Sequence, residues 1–222
     1  MSKKPSPAGS QAGARTRSPQ ATRQDIIDVA TREFAQNGLS GARVDEIAAK
    51  TGSSKRMIYY YFGDKEGLYL AVLEEAYRRV RTTEAELNLE HLPPVDALRK
   101  LVEFTFDHHP SNEAFIRLVM IENIHHGDYL ARSRTIQDLN VSAIGELESI
   151  YRRGLQDGTF RKGLTAIELH WQISALCFFN VSNRATFSRI FRVDLASKKA
   201  LATLRGQVVE MVLRNVLKAP PH

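Results

Sequence analysis

From Ser18 onward the apolar residues recur with a helical period, and no segment sustains the apolar–polar alternation of a half-buried strand. Ser18-Pro19 offers an N-cap and a first-turn proline, and Ile26, Ile27, Ala30 and Phe34 then form one face until Gly38 stops the helix. A short helix follows from about Val44 to Lys50, then Gly52, then a third helix from Ser54. Asp64 caps a longer helix running to about Arg81. Pro93-Pro94 and His109-Pro110 punctuate the next boundaries, with His109-Pro110 expected in a loop and Ser111 as cap of a helix over 111–126. Further helices are predicted over 133–157, 165–185 and 195–218. The fold class is all-α, with about nine helices in three parts: a basic tail over 1–18, a three-helix unit over 19–66 and a larger body over 67–218.

Composition narrows the function classes. With 43% hydrophobic and 25% charged residues, the 222-residue chain is an ordinary globular one. Its longest run without a charged residue or histidine, 171–183, spans 13 residues and is too short to cross a bilayer. No signal-like segment opens it, so a soluble cytoplasmic protein is expected. The single Cys177 rules out an intramolecular disulfide and a multi-cysteine zinc site. The net charge of +6 is uneven: residues 1–22 carry Lys3, Lys4, Arg15 and Arg17 without an acid, whereas 23–66 hold seven bases and seven acids. Residues 1–18, rich in Ser, Pro, Gly and Ala, are expected to be disordered in the free protein. They form either a basic arm for an anionic partner or a merely solubilising tail.

The sharpest local signal is VDEIAAKTGSSKRMIYYYF over 44–62. Two short helices meet at Gly52, where a left-handed backbone suits glycine. Ala48 permits close approach, and Ile47, Ile58 and Phe62 supply apolar contacts. The second helix opens Ser54-Lys55-Arg56. Two cations in a first turn oppose the helix dipole, so helix stability does not account for them. A helix whose N-terminal end enters the DNA major groove does, because Lys and Arg there reach guanine edges or phosphates. Tyr59, Tyr60 and Tyr61 point about 100° apart, so at least one is exposed and available to a phosphate oxygen, while core packing accounts for another.

The stretch from Gln24 to Leu73, through DIIDVATREFAQNG, VDEIAAKTG and SSKRMIYYYFGDKEGLYLAVLE, resembles the TetR family of transcriptional regulators. The resemblance implies a three-helix DNA-binding domain joined to a helical ligand-binding and dimerisation domain. It implies Lys55 and Arg56 as base readers, Tyr59, Tyr61 and Lys65 as phosphate contacts and Ser54 as cap of the recognition helix. Arg43 stands where many members carry a capping Thr or Ser, and is a candidate phosphate contact instead. Ser53 stands where many have Val. Arg15 and Arg17 are candidate minor-groove or backbone contacts, as basic extensions are in other members.

In the body, Leu201, Leu204, Val208, Val209, Met211, Val212, Leu213 and Val216 cover an arc of about 200°, wider than one core-facing stripe. The helix over 165–185 is similarly over-apolar, so a homodimer through the last two helices is expected. Glu122 lies in one sector with Phe115, Leu118, Val119 and His126, where a carboxylate needs a partner, a proton or a polar cavity. A structural pair, a small-molecule pocket and metal ligation are its alternatives. His108, His109, His125, His126 and His170 lack a His-Glu-x-x-His pattern, so neither a metal nor a cofactor is expected. HHPSNEAFIRLVMIENIHHGDYLARS is similar to the C-terminal domain of a TetR subgroup that includes the pyrimidine-utilisation repressor. Candidate pocket residues are Phe104, His108, Leu118, Glu122, His126, Trp171, Phe178 and Asn180.

The leading expectation is a homodimeric repressor of a palindromic double-stranded operator, released by a small-molecule effector. An all-α enzyme built on Glu122 and the histidines lacks any nucleophile–base spacing or phosphate loop. A sequence-nonspecific binder driven by the tail predicts binding that collapses with salt.

Overall fold

A computed structural model describes residues 18–218. The described residues form ten α-helices and two single 3-10 turns, with one isolated bridge between Phe160 and Leu217. Helices α1 (Pro19–Gly41), α2 (Val44–Thr51) and α3 (Lys55–Phe62) make the head. The others are α4 (Lys65–Ala85), α5 (Pro94–Ser111), α6 (Glu113–Ile124), α7 (Arg134–Gln156), α8 (Ala166–Ser182), α9 (Arg184–Phe191) and α10 (Lys198–Val216). The proposed tail lies outside the described residues, apart from Ser18.

Local chemistry sets most boundaries. The side chains of Ser18, Ser54, Asp64, Ser133 and Ser197 each cap their helix, and Thr165 with Glu168 forms a reciprocal capping box. Gly38 breaks the helical path of α1 at φ +68°, and Gly52 ends α2 at φ +64°. Two expectations are corrected here. Helix α5 runs through His109-Pro110 to Ser111, although Pro110 has no N–H to give the Phe106 carbonyl, and it ends one residue later; Asn112, not Ser111, precedes α6. The segment after Ser182 forms α9, one helix more than the nine expected, after Asn183 interrupts α8.

Two cores divide the molecule. The head core joins Ile26, Phe34, Ile47 and Ile58 to Leu68, Tyr69 and Leu73 of α4, Leu118 of α6 and Ile136 of α7. The body core packs α5, α7, α8 and α10 around Leu98, Phe106, Leu147, Ile173 and Val212. Five of the eight α10 residues in the wide arc are buried in this body core, Leu201 and Leu204 are half-buried against it, and Met211 is exposed. The arc is therefore largely occupied within one chain. Other exposed apolar side chains include Ile167, Trp171, Phe179, Ile190 and Phe191 on α8 and α9, with Ile124 on α6 and Val141 on α7.

Candidate nucleic-acid interface and ligand cavity

Helix α3 buries Ile58 completely and leans Tyr61 and Phe62 on the head core. Everything else on it is exposed: Lys55, Arg56, Met57, Tyr59 and Tyr60. The three tyrosines separate as their angular spacing requires. Tyr60 is 79% exposed and Tyr59 38%, while Tyr61 is half-buried with its ring edge-on to Tyr60 at 5.5 Å. Ser54 Oγ accepts the Met57 N–H at 3.1 Å and starts the helix.

Two of the cations around α3, Lys55 and Lys65, are held in place before any ligand arrives. Lys55 Nζ lies 2.9 Å from Asp45 of α2, and that hydrogen bond raises the lysine pKa, keeping it charged. Lys65 Nζ donates to the Ser40 carbonyl at 3.2 Å. Arg43 is exposed, and its side chain makes no cap to α2. The sequence reading missed a contact that ties the start of α2 to α1. Glu33 of α1, 6% exposed, accepts from Lys50 Nζ at 2.9 Å, from Asn37 at 2.8 Å and from the Arg43 backbone N–H. These bonds, Lys50 first, hold its carboxyl below the usual range.

A second feature is a cavity of about 710 Å³ between α4, α5, α6 and α8, with α7 closing one side. Phe104, His108, Trp171 and Phe178 line it, as the sequence suggested; Leu118, Glu122, His126 and Asn180 do not. Leu118 is wholly buried in the head core. His126 is exposed, beyond the end of α6 at φ +57°. Asn180 is half-buried, with both amide atoms enclosed and without a hydrogen-bond partner among the described residues. Glu122, 1% exposed, accepts the Tyr69 hydroxyl at 2.9 Å and the Leu130 N–H at 3.2 Å. Of its three sequence-level alternatives, the structural pair is the one present, with Tyr69 as partner rather than a histidine.

Apart from His108, the polar lining around Arg81 comes from residues not among the sequence candidates for the pocket. Arg81 Nη1 lies 2.6 Å from Glu84, and Arg81 Nη2 donates to Asn140 at 2.8 Å. Burial opposes the charge of Glu84 and raises its pKa, against the pull of Arg81. His109 is pushed down to about 4, by burial first and then by His108 and Arg81. Burial also lowers His108 and His170, so the three imidazoles are neutral near pH 7. The sequence reading ends this helix at about Arg81 and so leaves Glu84 off it, whereas α4 runs to Ala85. The available signal was Tyr77 and Val80, which place an apolar stripe on the same part of α4.

Helices α4 and α6 each serve both regions. The first half of α4 lies in the head core, and its second half lines the cavity through Tyr77, Val80, Arg81 and Glu84. Helix α6 turns Phe115, Val119 and Asn123 to the cavity and Leu118 and Glu122 to the head, and Arg117 Nε donates to Ala35 of α1 at 2.6 Å. Among the described residues no cluster of three His, Cys, Asp or Glu is arranged to hold a metal, and no helix is long and apolar enough to cross a membrane.

Two family models match the chain: "Bacterial regulatory proteins, tetR family" over residues 26–72 and "Tetracyclin repressor-like, C-terminal domain" over 94–212. The HTH-type transcriptional repressor NicS of Pseudomonas putida is 35% identical over 204 residues, covering 92% of this chain and 96% of NicS. Among solved structures, FadR of Bacillus subtilis in complex with stearoyl-CoA superposes with a TM-score of 0.66 at 19% identity, covering 86% of this chain and 98% of FadR. The ketosteroid regulator KstR2 of Mycobacterium tuberculosis does so with a TM-score of 0.64 at 18% identity, covering 94% and 98%. These two likenesses establish the fold, and the family models together with the NicS match establish more: the chain belongs to the TetR family of DNA-binding transcriptional regulators.

Proposed function

We propose that the chain is a cytoplasmic homodimeric repressor of a pseudo-palindromic operator, released when a small molecule occupies the 710 Å³ cavity. One α3 enters the major groove in each half-site, the two about one helical turn (~34–36 Å) apart. Lys55 and Arg56 read base edges, and Arg43, Tyr59, Tyr60, Tyr61 and Lys65 contact phosphates, with Ser54 holding the helix start. Lys55 exchanges Asp45 for DNA on binding, so this contact forms by partner exchange rather than by ordering a loose side chain. The exposed stripe of Ile167, Trp171 and Phe179 supports pairing through α8. An Ile167→Asp/Phe179→Asp double variant is expected to sediment as a monomer and to lose operator affinity; an unchanged dimer would place the interface elsewhere.

The observation that carries the reading is the double membership of α4 and α6. Both pack in the head core and both wall the cavity, so a ligand that reshapes the cavity shifts the heads. The effector must bind the released arrangement more tightly than the operator-bound one. Filling the cavity covalently tests this without knowing the ligand. Val119→Trp is expected to weaken operator binding by about 5–150-fold, the usual range of allosteric coupling, with the protein still folded and dimeric. A folded, dimeric Val119→Trp protein with wild-type operator affinity would contradict the coupling.

A further inference from the structure

The cavity meets solvent on one side. Among the described residues that line it, the exposed ones are Met120, Asn123 and Ile124 at the end of α6 and Trp171 and Ala175 on α8, and every other lining residue is buried or half-buried. These five form the two lips of a mouth. Four of them are apolar, and Ile124 and Trp171 are 73% and 71% exposed, so the mouth sets apolar surface against water. The α8 lip belongs to a longer feature. Ile167, Trp171, Ala175 and Phe179 follow one another at four-residue intervals, all exposed and none charged. Ring contacts carry this stripe onto α9, from Phe179 to Phe187 at 6.2 Å and from Phe187 to Phe191 at 4.4 Å. With Ile124 and Ile190, its side chains offer apolar area on the order of the ~800 Å² that each partner gives to a stable interface.

We propose that a second copy of the chain closes this mouth, so that the effector chamber is complete only in the dimer and Trp171 is a wall shared by cavity and interface. This rests on the reading of the chain as a homodimer that pairs through α8. An uncharged apolar stripe is its own complement, as a two-fold contact requires, so each chain closes the other's mouth and the two chambers form together. Pairing takes water from an apolar opening and gives an occupant a further wall. The occupant therefore binds the dimer more tightly than the single chain. By linkage, each bound molecule strengthens pairing by the factor that pairing adds to its affinity. The effector thus acts on the spacing of the heads within an intact dimer and does not part the two chains.

The test uses N-phenyl-1-naphthylamine, an uncharged apolar fluorophore, titrated into the full-length protein. Ile167→Asp/Phe179→Asp disrupts the stripe but alters no residue that lines the cavity, so it separates pairing from the chamber itself. The monomeric double variant is expected to bind the probe about 5–150-fold more weakly than the wild-type dimer, the usual range of coupling between sites. In the wild type, which needs no substitution, the probe is expected to lower the dimer dissociation constant in sedimentation velocity by a factor in the same range of about 5–150. Trp171 is the single tryptophan of the chain, so energy transfer from it to the probe places the probe at the mouth, and Val119→Trp, which fills the cavity, is expected to abolish probe binding. A double variant that stays dimeric would refute pairing through α8 and this proposal with it. A monomeric one with wild-type probe affinity, or a wild-type dimer constant indifferent to the probe, would leave pairing through α8 standing and overturn the shared chamber. No quenching of Trp171, or binding that survives Val119→Trp, would show that the chamber takes no apolar molecule and would overturn it as well.

Discussion

A Lys55→Ala/Arg56→Ala protein is expected to keep its fold and lose its operator. Both side chains are exposed, and neither belongs to the head core, so the thermal midpoint stays at the wild-type value. The loss on DNA is large because a dimer presents both residues twice. Four missing base or phosphate contacts weaken binding by about a thousandfold or more, and removing phosphate contacts also flattens the salt dependence. Fluorescence anisotropy on the operator duplex, beside a thermal melt of the same preparation, reads both effects. A folded double variant with wild-type affinity would remove α3 from the interface.

Glu122→Ala is expected to cause the largest loss of stability. The carboxylate is buried where α6 meets the head, and its removal leaves the Tyr69 hydroxyl and the Leu130 N–H without their acceptor. Each unpaired buried group costs about 1–3 kcal/mol, which together amounts to roughly 2–6 kcal/mol. At about 2–4 °C per kcal/mol for a chain of this size, the melting temperature falls by roughly 4–24 °C. Glu122→Gln retains an acceptor oxygen and is expected to lose less than half as much. Tyr69 sits edge-on between Phe34 and Tyr129, at 5.1 and 5.2 Å, so the disturbance reaches α1 directly. A Glu122→Ala midpoint within a degree of wild type would show that this link does not hold head and body together.

The contrast between these two sites shows what a sequence can convey here. The helix–turn–helix rests on local chemistry: a left-handed glycine at 52, capping side chains at 54 and 64 and a buried Ile58 between exposed neighbours. Each of these is written within a few residues, and the structure places them as the spacing implies. The cavity depends on which neighbour a helix face meets, and periodicity does not specify that. Leu118 and Glu122 do share a face, but that face packs on the head, and the adjoining side of α6, through Phe115, Val119 and Asn123, walls the cavity. For the same reason the wide apolar arc of α10 suggested a second partner, whereas body-core neighbours in the same chain cover most of it. Arg81 is inconspicuous in the sequence because its helix is expected to end there, whereas α4 runs to Ala85 and brings Glu84 beside it.

Selection of genomic fragments with the purified full-length protein, followed by anisotropy on the enriched duplex at two salt concentrations, tests the central claim most directly. The predicted result is one inverted repeat, bound by two chains and lost with Lys55→Ala/Arg56→Ala. Enrichment of fragments sharing no sequence, with an affinity that collapses as salt rises and survives the double substitution, would contradict it and assign the binding to the basic residues before Ser18.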